Sequence, residues 1–292
     1  MAQSNREFRA ESLGPAHELA LPQGVLRYHS VGSGPTLVFV HGVLVNANLW
    51  RKVVAGLSAD FRCVTLDLPF GSHVAPMPPD ADLSPPAVAD LIADAIAALE
   101  LDDVTLVGND SGGAISQIVA TRRPERIGAL VLTSCDAFDN FPPKALRAFK
   151  PVLSNAALLR PLLAPARAGA VKRAFYKSAA KRAVDDDVLD SYVLPAITHA
   201  GVRRDLARFI AGMDSRHSLA AAERMPQFDR PALIAWSRDD LFFPKRHGER
   251  LAELLPQGRL EWIDDARTFS PEDQPGRVGE LVASLSAAVP AR

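Results

Sequence analysis

The chain has 292 residues, 48% of them hydrophobic and 23% charged, a composition that can bury a sizeable core. Its 33 Lys and Arg balance 34 Asp and Glu, which gives no global attraction to nucleic acid or to an anionic membrane. No apolar run approaches the roughly 20 residues that span a bilayer, so we expect no stable membrane insertion.

Short β-branched segments alternate with longer helical patterns along the chain. The predicted strands are GVLRYHSV, TLVFVHG, RCVTLDLP, DVTLVGND, RIGALVLTSC, PALIAWSRDD and RLEWIDDA. The predicted helices are NANLWRKVVAGL, SPPAVADLIADAIAALEL, SGGAISQIVATRRP, KRHGERLAELLP and GRVGELVASLSAAV. Several strands are apolar almost throughout, as parallel strands buried on both faces should be. The alternation predicts an α/β fold with a mostly parallel sheet and helices on both faces.

The alternation stops at residues 140–226, which are Ala-, Leu- and Arg-rich and helical in pattern. Because this segment separates two predicted strands, we expect it to form a helical cap over the carboxyl edge of the sheet, where open α/β folds bind ligands. Residues 1–139 and 227–292 would then form the core. Residues 144–182 contain ten Lys and Arg and no acid. They are consistent with an anion-guiding or membrane-touching lid, or with a solvated helical face.

Two features favour a reducing, cytoplasmic location. The opening residues lack the basic start and apolar stretch of a secretory signal. Cys63 and Cys135 are the two cysteines, too few for a disulfide framework, and they have no metal-ligand spacing. We therefore expect a small-molecule substrate as the partner and no metal or cofactor.

A glycine-rich turn, GNDSGG from Gly108, follows the predicted strand VTLV. A strand that runs directly into a helix needs a sharp turn with a strained, exposed residue at its tip and small residues two positions away on each side. Gly108 and Gly112 flank Asp110 in this way, whereas one flank of Ser111 would be Asn109. The spacing predicts Asp110 as a nucleophile, with the Ser111 N–H as an oxyanion donor. The alternative is an unreactive or anion-binding turn.

A second segment supports this interpretation. The strand TLVFV ends in His41-Gly42, and in enzymes with such a turn this loop supplies the other oxyanion donor, here the N–H of Val43. His41 is a pocket candidate, although a histidine at this place is more often a structural hydrogen-bonding group than a base.

With these segments the chain resembles the α/β-hydrolase superfamily. The matching segments are VHG, GNDSGG, WSRDDLFFP and IDDARTFSPEDQP, and the resemblance covers nearly the whole chain. An aspartate at the turn is similar to the branch that contains epoxide hydrolases and haloalkane dehalogenases. This resemblance implies that a carboxylate attacks carbon to give an ester, which a His-activated water then hydrolyses. It also implies that Asp240 is the acid after the seventh strand of the fold, with Asp136 at the alternative position.

The segment that matches the family's histidine turn departs from the family pattern. The family has Gly-His and an aromatic residue, followed by acids and proline. Here Phe269 keeps the register, but the histidine position is Thr268 and the glycine position is Arg267. Threonine cannot act as a base near neutral pH. His73 and His247 are the first candidates to replace it.

The residues that assist dehalogenation and epoxide opening in this branch also differ from those of the present chain. The dehalogenase pattern has Asn after His-Gly and Trp after the aspartate, where this chain has Val43 and Ser111. Epoxide opening commonly uses two cap tyrosines, and Tyr176 and Tyr192 fall in the predicted cap, where we expect one of them to face Asp110.

Three hypotheses remain. The first is an Asp110 hydrolase of a small apolar substrate, epoxide-like ahead of haloalkane-like. The second is a non-hydrolytic cyclase, lyase or ligand-binding member, favoured by Thr268. The third is an esterase that uses Ser111.

Overall fold

The computed structural model of the chain describes residues 7–286, and the outermost residues of both predicted core segments lie outside this range. Its centre is an eight-stranded sheet of order β1-β2-β4-β3-β5-β6-β7-β8. The strands are β1 Ala16–Leu21, β2 Gly24–Val31, β3 Thr36–Val40, β4 Arg62–Asp67, β5 Val104–Asp110, β6 Ile127–Cys135, β7 Ala232–Ser237 and β8 Gly258–Ile263. Strand β2 pairs antiparallel with β1 and β4, and the remaining pairs are parallel.

All seven predicted strands are present, and the α/β fold with a mostly parallel sheet is confirmed. The sequence did not predict β1, whose AHELAL segment lacks β-branched residues and lies largely exposed at the sheet edge. Its pairing with β2 is a tertiary contact that the local composition does not encode.

The helices are α1 Arg51–Leu57, α2 Pro85–Ala98, α3 Ser111–Arg122, α4 Lys144–Arg147, α5 Lys150–Leu153, α6 Ala156–Leu163, α7 Gly169–Tyr176, α8 Asp186–Thr198, α9 Ala200–Gly212, α10 Ser215–Arg224, α11 Lys245–Leu254, α12 Ser270–Asp273 and α13 Pro275–Ser286. The five predicted helices correspond to α1, α2, α3, α11 and α13. The last prediction extended to residue 289, and residues 287–289 lie outside the described residues. None of the helices in residues 7–286 is both long and apolar enough to cross a membrane.

Two hydrophobic cores lie on the two faces of the sheet. In β3, Val38 and Val40 belong to the core beneath α2, α3 and α11, whereas Leu37 and Phe39 belong to the core beneath α1 and α13. Successive side chains of a strand point to opposite faces. A strand covered on both faces is therefore apolar at every position, which is why continuous apolar runs predicted the central strands.

Residues 140–226, called the helical segment below, contain α4 to α10 and no strand. The segment leaves the sheet after β6 and returns to it before β7. Because β6 and β7 are both parallel to β5, the segment leaves the sheet at the carboxyl edge, where Asp110 lies, and its last part returns the chain to the amino edge, where β7 begins.

Candidate active site

Asp110 lies at the tip of a sharp turn between β5 and α3. Its backbone has φ 56° and ψ −133°, a conformation that is strained for a residue with a side chain. The flanking glycines allow strand and helix to approach closely. A Cβ on Gly108 would lie 2.5 Å from Ser116 Oγ, and one on Gly112 would lie 2.4 Å from the His41 carbonyl oxygen. The turn thus has the geometry that the glycine spacing predicts, with Asp110 at its tip.

Two backbone N–H groups, from Ser111 and Val43, donate to the Asp110 carboxyl group. Asp110 Oδ2 also lies against Gly42, where a Cβ would come within 2.0 Å of it. Burial raises the pKa of Asp110 to about 7, the two N–H donors oppose the shift, and the charge of Asp240 adds to it. Near neutral pH the carboxyl group therefore exists in both its charged and its neutral form.

Asp240 and Thr268 form a hydrogen-bonded pair beside this carboxyl group. Asp240 Oδ1 accepts from the N–H groups of Phe242 and Phe243, both at 2.8 Å, and Oδ2 accepts from Thr268 Oγ1 at 3.0 Å. The Thr268 carbonyl accepts from Asn109 Nδ2 at 2.7 Å, which ties this turn to the residue before Asp110. Threonine therefore occupies a position from which its side chain contacts the acid after β7.

A third carboxyl group, that of Asp136, is completely buried behind the turn. Its N–H donates to the Asp110 carbonyl at 3.3 Å. Burial, followed by the charges of Asp110 and Asp240, raises the pKa of Asp136 well above its usual value. Burial thus favours the neutral form of Asp136, while the Thr268 hydroxyl bonds Asp240 rather than Asp136.

A cavity of about 400 Å³ separates Asp110 from the helical segment. Its wall is mainly apolar and includes Leu146, Leu159, Leu206, Ile210, Met213 and Phe242. The wall has one cation among the described residues, Lys150, whose ammonium donates to the Met213 carbonyl at 2.6 Å. Asp110 is partly accessible from this cavity, and Ser111 and Thr268 lie beside it in the wall. A carboxyl group thus faces a space that solvates charge poorly.

None of the seven histidines, all within residues 7–286, lines this cavity. His73 is buried with Nε2 3.2 Å from Asp205 Oδ2. His247 is buried against the Phe138 ring, and burial lowers its pKa to about 4. Neither candidate replacement for the family histidine is therefore placed to act on a group bound at Asp110.

The model of the alpha/beta hydrolase fold family matches residues 35–275 of this chain. The chain belongs to the α/β hydrolase fold family. Haloalkane dehalogenase 2 of Mycobacterium tuberculosis is 27% identical, over 89% of this chain and 91% of its own length. A cis-3-alkyl-4-alkyloxetan-2-one decarboxylase of Shewanella oneidensis is 27% identical, over 88% of this chain and 83% of its own. An α/β hydrolase fold protein from Burkholderia ambifaria superposes with a TM-score of 0.79 and 26% identity, covering 93% and 97% of the two chains. The chain thus resembles the dehalogenase branch of the α/β hydrolase fold.

The structure brings two of the four pocket candidates to the cavity wall. Thr268 and Tyr176 line it, whereas His41 and Tyr192 do not. His41 has both ring nitrogens engaged, Nδ1 with the Gly42 carbonyl at 2.8 Å and Nε2 with the Leu68 N–H at 2.9 Å. Burial lowers the pKa of His41 to about 4. A neutral ring with two backbone partners stabilises the loop that carries Val43.

The expectation that a tyrosine hydroxyl faces Asp110 is wrong for Tyr192, which lies outside the cavity wall, and stays a prediction for Tyr176, which lines it. Tyr176 donates its hydroxyl to the Leu44 carbonyl. Tyr192 is completely buried outside the cavity wall, near Arg51 and Glu272. Both rings pack in the core between the helical segment and the sheet. The Tyr176 hydroxyl thus contacts the loop that carries Val43 although its ring lines the cavity, and sequence position alone could not show this contact.

Two parts of the site could not be foreseen from the residues that the sequence pattern singles out. The apolar wall combines residues from α9 with Phe242 from the loop after β7, and only the fold brings these together. The sequence pattern identifies Gly42 only as part of His-Gly, although Gly42 is the residue that leaves room for the Asp110 carboxyl group. Its small size next to a predicted oxyanion donor was the available signal.

Proposed function

We propose that this α/β hydrolase fold protein uses the Asp110 carboxylate to attack an electrophilic carbon of a small, apolar, uncharged substrate and forms an ester. One observation supports this most strongly. The Asp110 carboxyl group lies at the strained turn, receives two N–H groups, and opens onto a mainly apolar cavity. The same N–H groups would stabilise the carbonyl oxygen of the ester. The helical segment serves as the cap of this site, and its apolar wall disfavours charged substrates.

In this proposal the reactivity comes from the substrate itself and not from residues of the protein that activate it. The sequence ranked epoxides ahead of haloalkanes because of the cap tyrosines, but the Tyr176 hydroxyl is bonded to Leu44. The positions of the dehalogenase Asn and Trp hold Val43 and Ser111. With neither set of helpers, the site fits an electrophile activated by ring strain or by a good leaving group.

The structure gives little support to the esterase that would use Ser111. Its oxyanion donors already bind the Asp110 carboxyl group. No imidazole is present in the described cavity wall to activate a hydroxyl.

A second candidate follows from the missing imidazole. General-base assistance contributes about a hundredfold to ten-thousandfold to a step such as ester hydrolysis, so an Asp110 ester should persist in this protein. A lyase reaction avoids that step. The decarboxylase relative is named for an oxetan-2-one, a strained four-membered lactone that carries two alkyl chains.

The bonds of such a reaction balance without water or a base. An Asp110 oxygen attacks ring carbon 4, and the ring C–O bond breaks to release the substrate's own carboxylate. That carboxylate then leaves as carbon dioxide, the electrons of its C–C bond form the alkene, and the Asp110 carboxylate departs. The loss of carbon dioxide therefore frees the Asp110 carboxylate for another turnover, without hydrolysis of the ester. A neutral, apolar ring with alkyl chains also matches the wall of the cavity.

Alkylation of Asp110 tests the first proposal. Incubation with reactive haloalkanes and epoxides should add one substrate mass to the intact protein, and peptide mapping should place it on Asp110. Because the carboxylate is the nucleophile and its pKa is about 7, the labelling rate should fall roughly tenfold per pH unit below about pH 7. Intact-protein and peptide mass spectrometry measure both.

Asp110→Asn is the matched control and should not be labelled. Rapid multiple turnover of these reagents by the wild type, with no retained mass, would contradict the proposed persistence of the ester.

For the lyase, a cis-dialkyl oxetan-2-one should give alkene and carbon dioxide with no retained mass. A hydroxy acid as the product would argue for hydrolysis instead.

Gly42→Ala should lower the labelling rate by about a hundredfold. The new methyl group would lie 2.0 Å from Asp110 Oδ2, so the carboxyl group must move, and displacing a reacting group by about 1 Å costs roughly that factor. Gly56→Ala is the matched control, since a Cβ at that glycine meets nothing within 4 Å. Equal labelling of the two variants would show that Asp110 does not react in the observed conformation.

A further inference from the structure

The helical segment exposes a concentrated apolar surface. Ten large hydrophobic side chains of the described chain are exposed, and seven of them lie between residues 146 and 175. Phe149 is 60% exposed, Phe175 55% and Leu162 52%. Large apolar side chains are normal on a surface when they are scattered, whereas a contiguous group marks a site of interaction. We call this set the apolar face.

The apolar face surrounds the mouth of the cavity that contains Asp110. Four of its seven members, Leu146, Leu162, Val171 and Phe175, also belong to the cavity wall. They come from α4, α6 and α7, so three separate helices converge at one place. An exposed apolar surface is therefore continuous with the apolar interior that would hold a substrate.

The charge around the apolar face is positive. The helical segment has fifteen Lys and Arg and seven Asp and Glu, although the whole chain has a net charge of −1. Part of this charge is neutralised, for example in the pair of Arg173 with Asp186. Arg160, Arg167 and Lys177 are exposed and form no ion pair with the described residues. Three exposed cations of the segment that carries the apolar face thus remain available to an anionic partner.

We propose that the apolar face docks on an anionic lipid surface and takes apolar substrate from it directly into the cavity. Apolar side chains would enter the boundary between headgroups and acyl chains, while the unpaired cations contact lipid phosphates. The docking is peripheral, and it does not depend on the chemistry of Asp110.

Sedimentation of the full chain with lipid vesicles tests the proposal. The protein should bind vesicles of equal parts phosphatidylcholine and phosphatidylglycerol, bind phosphatidylcholine vesicles far less, and be released by high salt. Phe149→Ser with Leu158→Ser should lower the partition coefficient on the order of tenfold, by removing inserted apolar area. Arg160→Glu with Arg167→Glu and Lys177→Glu should lower it by about a hundredfold.

The controls lie away from the apolar face. Val25→Ser removes an apolar side chain that is 47% exposed on β2, and Arg246→Glu reverses an exposed charge on α11. Both should bind vesicles as the wild type does. Phe149 and Leu158 are exposed and do not line the cavity, so their variants should fold and should react at Asp110 with water-soluble reagents at the wild-type rate.

Three results would overturn the proposal. One is no binding to the anionic vesicles at low ionic strength. Another is equal binding by the apolar-face variants and the controls. The third is a stable oligomer that Phe149→Ser with Leu158→Ser dissociates, which would assign the face to self-association. Asp110→Asn should bind vesicles normally, so failure of docking and failure of the nucleophile proposal remain distinguishable.

Discussion

Thr268→His is expected to convert a protein that retains its Asp110 ester into one that hydrolyses it repeatedly, about a hundredfold to ten-thousandfold faster. The Thr268 hydroxyl already lies 3.0 Å from Asp240 Oδ2, so an imidazole at this position could donate one N–H to that carboxylate. Its other nitrogen could then activate a water in the cavity that Thr268 lines. Loss of the trapped mass together with release of alcohol from the reagent measures this gain.

Two variants distinguish a working base from a local rearrangement. Thr268→Val removes the hydroxyl at similar volume and should leave the ester trapped. Combining Thr268→His with Asp240→Asn should lose most of the gain, because the imidazolium would then lack its carboxylate partner. If Thr268→His folds, forms the ester and still retains it, the space around Asp240 does not orient an imidazole toward the ester, and the assigned geometry is wrong.

Asp110→Asn is expected to stabilise the protein by about 4 kcal/mol at about pH 9, which would raise the Tm by about 10 °C. In the native state burial raises the pKa of Asp110 from 3.8 to about 7. Between these values the native protein holds a proton that the unfolded chain has released. The free energy of unfolding of the wild type therefore falls as the pH rises through this window, and Asn removes that loss.

Urea denaturation of both proteins from about pH 4 to about pH 9 checks the sign. The difference between them should be small at the acid end, grow up to about pH 7, and then remain constant. Glu249→Gln, which removes an exposed acid on α11, is the control for loss of charge and should show no such window. A difference that shrinks with rising pH would mean that the carboxylate form of Asp110 is stabilised in the native state.

Local sequence determined most of the architecture. Buried parallel strands are apolar at every position, and the surrounding helices have clear boundaries, so seven strands and five helices follow from pattern alone. The position of Asp110 at the turn also follows from sequence. A glycine is needed at position 112 because the carbonyl groups of Val40 and His41 approach it closely, so the spacing of the glycines indicates where the turn lies. Strand β1 could not be predicted, since an exposed edge strand is defined by its partner β2 rather than by its own residues.

The sequence also predicts that Thr268 stands at the family's histidine position, because the turn after β8 keeps the family register around Phe269. Only the tertiary structure decided that no other histidine compensates. Burial of His73 and His247 away from the cavity is the sum of contacts between segments distant in the chain. The same holds for the tyrosines, since the hydroxyl of Tyr176 bonds to Leu44, 132 residues away in the chain. Backbone periodicity and steric demands are local and can be predicted from sequence, whereas the direction in which a side chain points inside a core depends on how those distant segments pack.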